Sequence, residues 1–177
     1  MNEKILVTYT SKHGSTQKYA GWIADALGAD VFPASKVKSN ILRQYDIVVH
    51  GGGLYAGGIA GLKRIAENNL CKNLVVFTVG LADPASTDYS DIIKRNLSQE
   101  LLAKTKIFHL RGGIDYTQLG PVHKIMMAMM RRMILKKPES ERKDDDAEFL
   151  ENYNKKVNFE DKQTIDPILS YVKNLQQ

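Results

Sequence analysis

The stretch Ile5-Leu6-Val7-Thr8-Tyr9-Thr10-Ser11-Lys12-His13-Gly14-Ser15-Thr16 decides the architecture of this 177-residue chain. An apolar run ends in a hydroxyl-rich turn, and the turn opens a helical pattern that begins near Thr16. Free backbone N–H groups and the positive end of a helix dipole meet at such a junction, which makes it an anion site. Ser11, Ser15 and Thr16 add hydroxyl donors, Lys12 adds charge, and Gly14 permits a turn at positive φ close to a ligand. The expected anion is a phosphate.

Outward from this turn, short apolar runs alternate with helical patterns. Strands are expected at Lys4–Tyr9, Asp30–Pro33, Ile47–Gly51, Leu74–Val79 and Lys106–Leu110. Ala20, Ile23, Ala24 and Leu27 share one helical face, and Gly28 stops that helix. Leu62, Ile65 and Ala66 mark a second helix, and Ile92, Ile93 and Leu97 a third. The last carries Ile165, Ile168, Leu169, Val172 and Leu175, with Pro167 in its first turn and Thr164 or Asp166 as its cap. Ile47-Val48-Val49 and Leu74-Val75-Val76-Phe77 are apolar without alternation, the pattern of strands buried on both faces of a parallel sheet. The expected fold is α/β, a doubly wound five-stranded parallel sheet with right-handed crossovers. Ligands of such sheets sit at the carboxyl ends of the strands. The loops Thr10–Thr16, Gly51–Gly58 and Gly80–Thr87 leave those ends.

An apolar content of 43% excludes a disordered chain. The lone Cys71 allows no internal disulfide and is expected to be an inert thiol at a helix end, which points to a reducing, cytoplasmic setting. Met1-Asn2-Glu3-Lys4 leads straight into a strand, so no signal peptide is expected. No apolar run reaches the ~18–20 residues of a spanning helix. The net charge of +5 is localised. Between Pro121 and Lys143 stand Lys124, Arg131, Arg132, Lys136, Lys137, Arg142 and Lys143, opposed only by Glu139 and Glu141. The same region breaks the βα rhythm. Thr117–Phe159 reads as an insertion before the last helix, within a single domain spanning 1–177. It holds a helical pattern at Val122–Leu135 with Met126, Met127, Met129, Met130 and Met133, then a charged tract at Lys136–Glu148.

The first turn lacks the Gly-Lys-Ser/Thr ending of a nucleoside-triphosphate loop and the three spaced glycines of a dinucleotide fold. The cluster Gly51-Gly52-Gly53 and Gly57-Gly58 follows the third strand instead. A mononucleotide phosphate bound by donors without a metal suits what remains. In spacing and type, Val7, Tyr9, Ser11, Gly14, Thr16, Ala20 and Ile23 resemble the phosphate-loop signature of flavodoxins; Thr8 departs from it, since that family usually has an apolar or aromatic residue there. The resemblance implies a flavodoxin-like fold and FMN as cofactor. Its phosphate would lie on Ser11, Lys12, His13, Gly14, Ser15 and Thr16. Its ring would lie between Gly52, Gly53, Leu54, Tyr55, Ala56 and Gly57 on one side and Gly80, Leu81, Ala82 and Asp83 on the other.

Phe77-Thr78-Val79-Gly80-Leu81 and Gly112-Gly113-Ile114-Asp115-Tyr116, followed by a Met-rich basic helix, further resemble the quinone-dependent, flavodoxin-type protoporphyrinogen oxidases of heme biosynthesis. That implies an FMN-dependent oxidoreductase passing electrons from a porphyrinogen to a quinone. A flavodoxin-type electron carrier, and a binding module with a vestigial flavin site, are the competing readings.

Tyr55 reads either as a ring stacked on the flavin or as a half-buried loop residue. His13 reads as a stabiliser of phosphate or flavin charge, or as an uninvolved side chain. His50 and His109 read as structural, no acid–base role is assigned to His123, and no cluster has metal-ligand spacing. The Met-rich segment has three readings: packing on the protein's own core or a twin subunit, contact with the inner face of a membrane through 121–143, or one wall of a site for a large apolar, carboxylate-bearing substrate. Nucleic acid is not an expected partner, because no aromatic residues interleave with the charge.

Overall fold

A computed structural model describes residues 3–67 and 72–176. Cys71 lies outside the described residues. In chain order the elements are β1 (Ile5–Thr10), α1 (Ser15–Leu27), β2 (Asp30–Pro33), α2 (Ser39–Leu42), β3 (Ile47–Tyr55), β4 (Gly58–Ile59), α3 (Leu62–Glu67) and β5 (Asn73–Gly80). There follow α4 (Ser90–Asn96), α5 (Gln99–Ala103), β6 (Thr105–Arg111), β7 (Gly113–Asp115), α6 (Pro121–Lys136), α7 (Asp144–Asn152), β8 (Lys156–Asn158) and α8 (Asp166–Leu175). The main sheet runs β2-β1-β3-β5-β6 with every neighbour pair parallel, and β4 adds a short antiparallel edge to β3. The strand order reverses between β1 and β3, where a ligand crevice is expected in such a sheet.

Successive side chains of a strand point to opposite faces, so the unbroken apolar runs supply two cores. Ile5, Val7, Ile47, Val49, Val75 and Phe77 pack under α1 and α8 with Tyr19, Ile23, Ile168 and Val172. Leu6, Val48, Leu74 and Val76 pack on the other side against Leu42, Leu62, Ile65 and Leu97. The departure at Thr8 is resolved within the second layer. Thr8 is the register partner of His50, both are wholly buried, and their side chains hydrogen-bond at 2.8 Å. His50 Nε2 lies 3.0 Å from the Ala60 carbonyl, which can only accept, so Nε2 carries the proton and Nδ1 accepts from the Thr8 hydroxyl. The pairing recurs two strands away, where Thr78 and His109 bond at 2.6 Å and His109 stacks on Tyr89. Both histidines are structural, as their strand positions imply.

Several boundaries differ from the sequence-based expectation. β3 runs on through the glycine cluster to Tyr55 rather than ending at Gly51. Glycine is required there by packing: a Cβ on Gly51 would come within 2.2 Å of the Phe77 ring on the neighbouring strand. Neither Thr164 nor Asp166 caps α8. Ile165 stands at its N-cap without a side-chain bond, Pro167 occupies its first turn, and Asp161 caps the preceding 3-10 turn through Gln163 N–H.

The excursion after β6 leaves as β7 and returns as β8, an antiparallel pair. The charged tract is not simply an exposed strand of chain. Its second half folds into α7, whose Asp144, Asp145, Asp146, Glu148 and Glu151 offset much of the positive charge counted on 121–143. No helix among the described residues is long and apolar enough to cross a membrane.

The buried His50 generates a pH dependence. Burial pulls its imidazole down from 6.5 to about 4, opposed in part by the bond to Ala60. Unfolded, the ring binds a proton near 6.5; folded, it stays neutral down to about 4. The unfolded state therefore holds more protons between these values, and stability is lost as pH falls through the window, by roughly 3 kcal/mol at its lower end. Denaturant unfolding between pH 7 and 4 should show a steeper loss for the native protein than for His50→Gln; parallel curves would contradict a neutral buried imidazole.

Candidate functional site

The carboxyl ends of β1, β3 and β5 open into one cavity of about 690 Å³, inside the ~300–1,000 Å³ range of small-ligand clefts. Ser11, Lys12, His13, Ser15 and Thr16 line one end, Gly53, Leu54 and Tyr55 one flank, and Gly80, Leu81 and Ala82 the other. The three loops named from the sequence thus converge on one space.

Gly14, Gly52, Ala56, Gly57 and Asp83, also assigned to the cofactor from the sequence, shape this space without lining it. Gly14 stands at φ 96°, a region that favours glycine, and its N–H donates to Ser11 Oγ at 3.1 Å. Gly52 lies so close to Ile59 and the Ala60 backbone that a Cβ would not fit. Ala56 and Gly57 make the turn into β4, both at positive φ. Asp83 builds its own turn, accepting from Ala85 N–H and, through its carbonyl, from Thr87 Oγ1.

The phosphate end is electropositive. Helix α1 has no side-chain cap and no acidic residue in its first turn, so the dipole and the leading N–H groups face the cavity unopposed. Ser15 is used differently from its neighbours. Its hydroxyl accepts from Gly113 N–H at 2.9 Å, which ties the start of α1 to the start of the excursion. Gly112 fits there only because it lacks a side chain, since a Cβ would lie 2.7 Å from Val79 and 3.0 Å from Ser15. Burial raises the Glu160 carboxyl, but hydrogen bonds from Lys18 and Ser15 outweigh it and hold the group below its ordinary value.

Residues of the excursion form the rest of the wall, and the sequence reading assigned none of them to the cofactor. His123, Met127 and Met130 reach in from α6, and Asp145, Glu148, Phe149 and Asn152 from α7. His123 sits in the first turn of α6, where Lys12 Nζ donates to its Nε2, and its ring lies 5.4 Å from that of Tyr55. Lys12 also rides 4.2 Å above the Tyr55 ring, and the Tyr55 hydroxyl donates to Met126 Sδ at 3.2 Å. Burial first, then the charges of Lys12 and His123, push the His13 imidazole below its usual value, so His13 is neutral near pH 7. The only available signal for this set was the methionine-rich helix itself, which offered three readings. Met127 and Met130 line the cavity.

Arg111 locks the wall to the sheet. Its Nε donates to the Leu81 carbonyl at 2.9 Å, its Nη2 pairs with Glu148, and its guanidinium lies 3.8 Å from the centre of the Phe159 ring. Tyr19 completes the joint, donating to the Arg111 carbonyl and accepting from Asp161 N–H. Among the described residues no group of three or more His, Cys, Asp or Glu side chains is placed to hold a metal ion.

Residues 6–141 match the family described as Flavodoxin domain. The chain belongs to the flavodoxin family. It is similar in structure to a putative flavoprotein from Bacteroides eggerthii, with a TM-score of 0.44 and 18% identity over 62% of this chain and 88% of that one. A flavoprotein in complex with FMN from Lactobacillus acidophilus gives 0.43 and 15%, over 62% and 92%. Oxidised Flavodoxin 1 from Bacillus cereus gives 0.44 and 17%, over 61% and 84%. A stretch of 55 residues is 42% identical to an uncharacterized protein of Methanocaldococcus jannaschii, covering 30% of this chain and only 37% of that relative.

Membership implies FMN, and the donor set fits it. The phosphate end offers a helix N-terminus, hydroxyls and Lys12, while the carboxylates that line the cavity, Asp145 and Glu148, belong to α7.

Removing the Arg111 side chain should loosen α7 before the sheet. For Arg111→Ala, a loss of about 2 kcal/mol is expected from its charged hydrogen bonds, with amide exchange accelerated at 144–152 and unchanged in β1, β3 and β5. Unaltered exchange at 144–152 would show that the wall is held elsewhere.

Proposed function

We propose that this protein is an FMN-binding redox protein of the flavodoxin type that carries electrons between partners. The observation that supports this most is the convergence of the Ser11–Thr16, Gly53–Tyr55 and Gly80–Ala82 segments on one cavity with an electropositive end. Bound there, FMN supplies one- and two-electron redox chemistry. Ser11, Lys12, Thr16 and the leading N–H groups of α1 hold the phosphate. Leu54 and Tyr55 on one side, and Leu81 and Ala82 on the other, hold the ring. Neutral His13 adds no charge at that end. Met127 and Met130 keep water from the ring's outer side.

A second reading is favoured by one observation. The α6–α7 wall adds a broad apolar surface, with Met127, Met130 and Phe149, to the same cavity, and Leu119 just before α6 extends it. An oxidoreductase acting on a large apolar substrate would use such a wall, with protoporphyrinogen as the substrate to try first and a quinone as acceptor.

Reconstitution with FMN should produce a yellow protein with quenched flavin fluorescence. Ser11→Ala combined with Thr16→Ala should weaken FMN binding by about tenfold or more and leave riboflavin, which lacks the phosphate, nearly unaffected. Absence of FMN binding would falsify both readings. With loaded protein, porphyrinogen turnover in the presence of a quinone, above the rate without protein, selects the second reading; reversible electron exchange without such turnover selects the first.

A further inference from the structure

Helix α6 has two faces, and only one is used by the cavity. His123, Met127, Met130 and Ile134 turn inward, and Ile134 is the one buried residue of its 16. Lys124, Met127 and Ala128, with the edge of Ile125, border the Tyr153 end of α7, and the Arg131 guanidinium lies 5.4 Å from the Tyr153 ring. The remaining face presents Val122, Ile125, Met129 and Met133 at spacings of three and four residues, a continuous stripe along the helix. They are 64%, 62%, 60% and 66% exposed, more than any other large apolar side chain described. Arg132 and Lys136 run along one margin of the stripe, and among the described residues neither forms an ion pair.

We infer that this outer face of α6 docks the protein on an anionic lipid surface. An apolar stripe edged by cations lies in the interface plane of a bilayer, with the apolar side chains among the acyl boundary and the cations at the headgroups. At 16 residues the helix spans about 24 Å along that plane, and it is too short and too charged to enter further. The stripe carries no acid, so a second copy of the same face offers Arg132 and Lys136 no counter-charge. It also carries no Tyr or Trp, the side chains that anchor most protein interfaces. The acids of α7 that form ion pairs do so with cations other than Arg132 and Lys136. Asp146 pairs with Lys137, Glu148 with Arg111, and Asp145 lies 3.2 Å from the Thr87 hydroxyl. Met130, half-exposed and also part of the cavity wall, joins the stripe to the cavity rim, so docking turns that rim toward the lipid.

The inference does not depend on the flavin and is tested without it. The full chain is floated with vesicles of phosphatidylcholine alone or with an equal part of phosphatidylglycerol, at low and high salt. Flotation with the anionic vesicles only, weakened by salt, is expected. Ile125→Glu with Met129→Glu, and separately Arg132→Glu with Lys136→Glu, should each lower partitioning by about tenfold or more. All four side chains are on the surface, so unchanged circular dichroism and melting of the variants confirm that folding is intact. The inference is overturned if the native chain stays in solution with anionic vesicles, or if both variants float like it. A dimer in solution that Ile125→Glu with Met129→Glu dissociates, with no flotation of the native chain, would assign the stripe to a second copy instead.

Discussion

Burial of the central strands on both faces is the constraint from which the rest of this molecule follows. β1, β3 and β5 alternate their side chains between two cores, one under α1 and α8 and one under α2 to α5. Here these strands are parallel and joined by helical crossovers, the arrangement that covers both faces of a sheet. Parallel strands in turn deliver every strand-to-helix loop to the same edge of the sheet. The phosphate loop, the Tyr55 flank and the Leu81 flank are therefore neighbours in space, although each is separated from the next by about 25 residues or more of chain.

The polar residues inside this apolar layer are paired rather than tolerated. Thr8 with His50 and Thr78 with His109 satisfy one another across adjacent strands, and desolvation keeps both rings uncharged. An unpaired hydroxyl or imidazole at the same depth would be strongly destabilising. The departure of Thr8 from the usual pattern of the family is thus compensated at a position 42 residues away, reached only through strand register.

The excursion after β6 changes what the parallel sheet can serve. Ser15, Gly112 and Gly113 weld its base to the start of α1, and Arg111 with Tyr19 welds its far side to β6 and the Asp161 turn. Its two helices cover the crevice instead of leaving it open to solvent. The cost of this arrangement is visible on α6, a helix with a single buried residue and an apolar outer stripe.

Local pattern sufficed for much of this. Short apolar runs marked all five parallel strands, unbroken ones the two central strands β3 and β5, and the hydroxyl-rich turn before α1 marked the anion site, because strand burial and helix-terminus chemistry are written in consecutive residues. Strand ends in glycine were not legible: β3 continues to Tyr55 because Phe77 packs over Gly51, a contact between strands. Nor was the role of Ser15, whose hydroxyl is taken by Gly113, nor that of His123, which meets Lys12 across more than a hundred residues. The charge of 121–143 was readable as a sum, but its partial cancellation by α7 and the direction of each methionine were not. The sequence alone therefore determined the sheet, the strongly periodic helices α1, α3, α4, α6 and α8 and the family of its ligand, since those depend on periodicity and on a contiguous turn. Only the tertiary structure decided how the cavity is walled and which face of α6 stays bare, because both depend on how distant segments pack against one another.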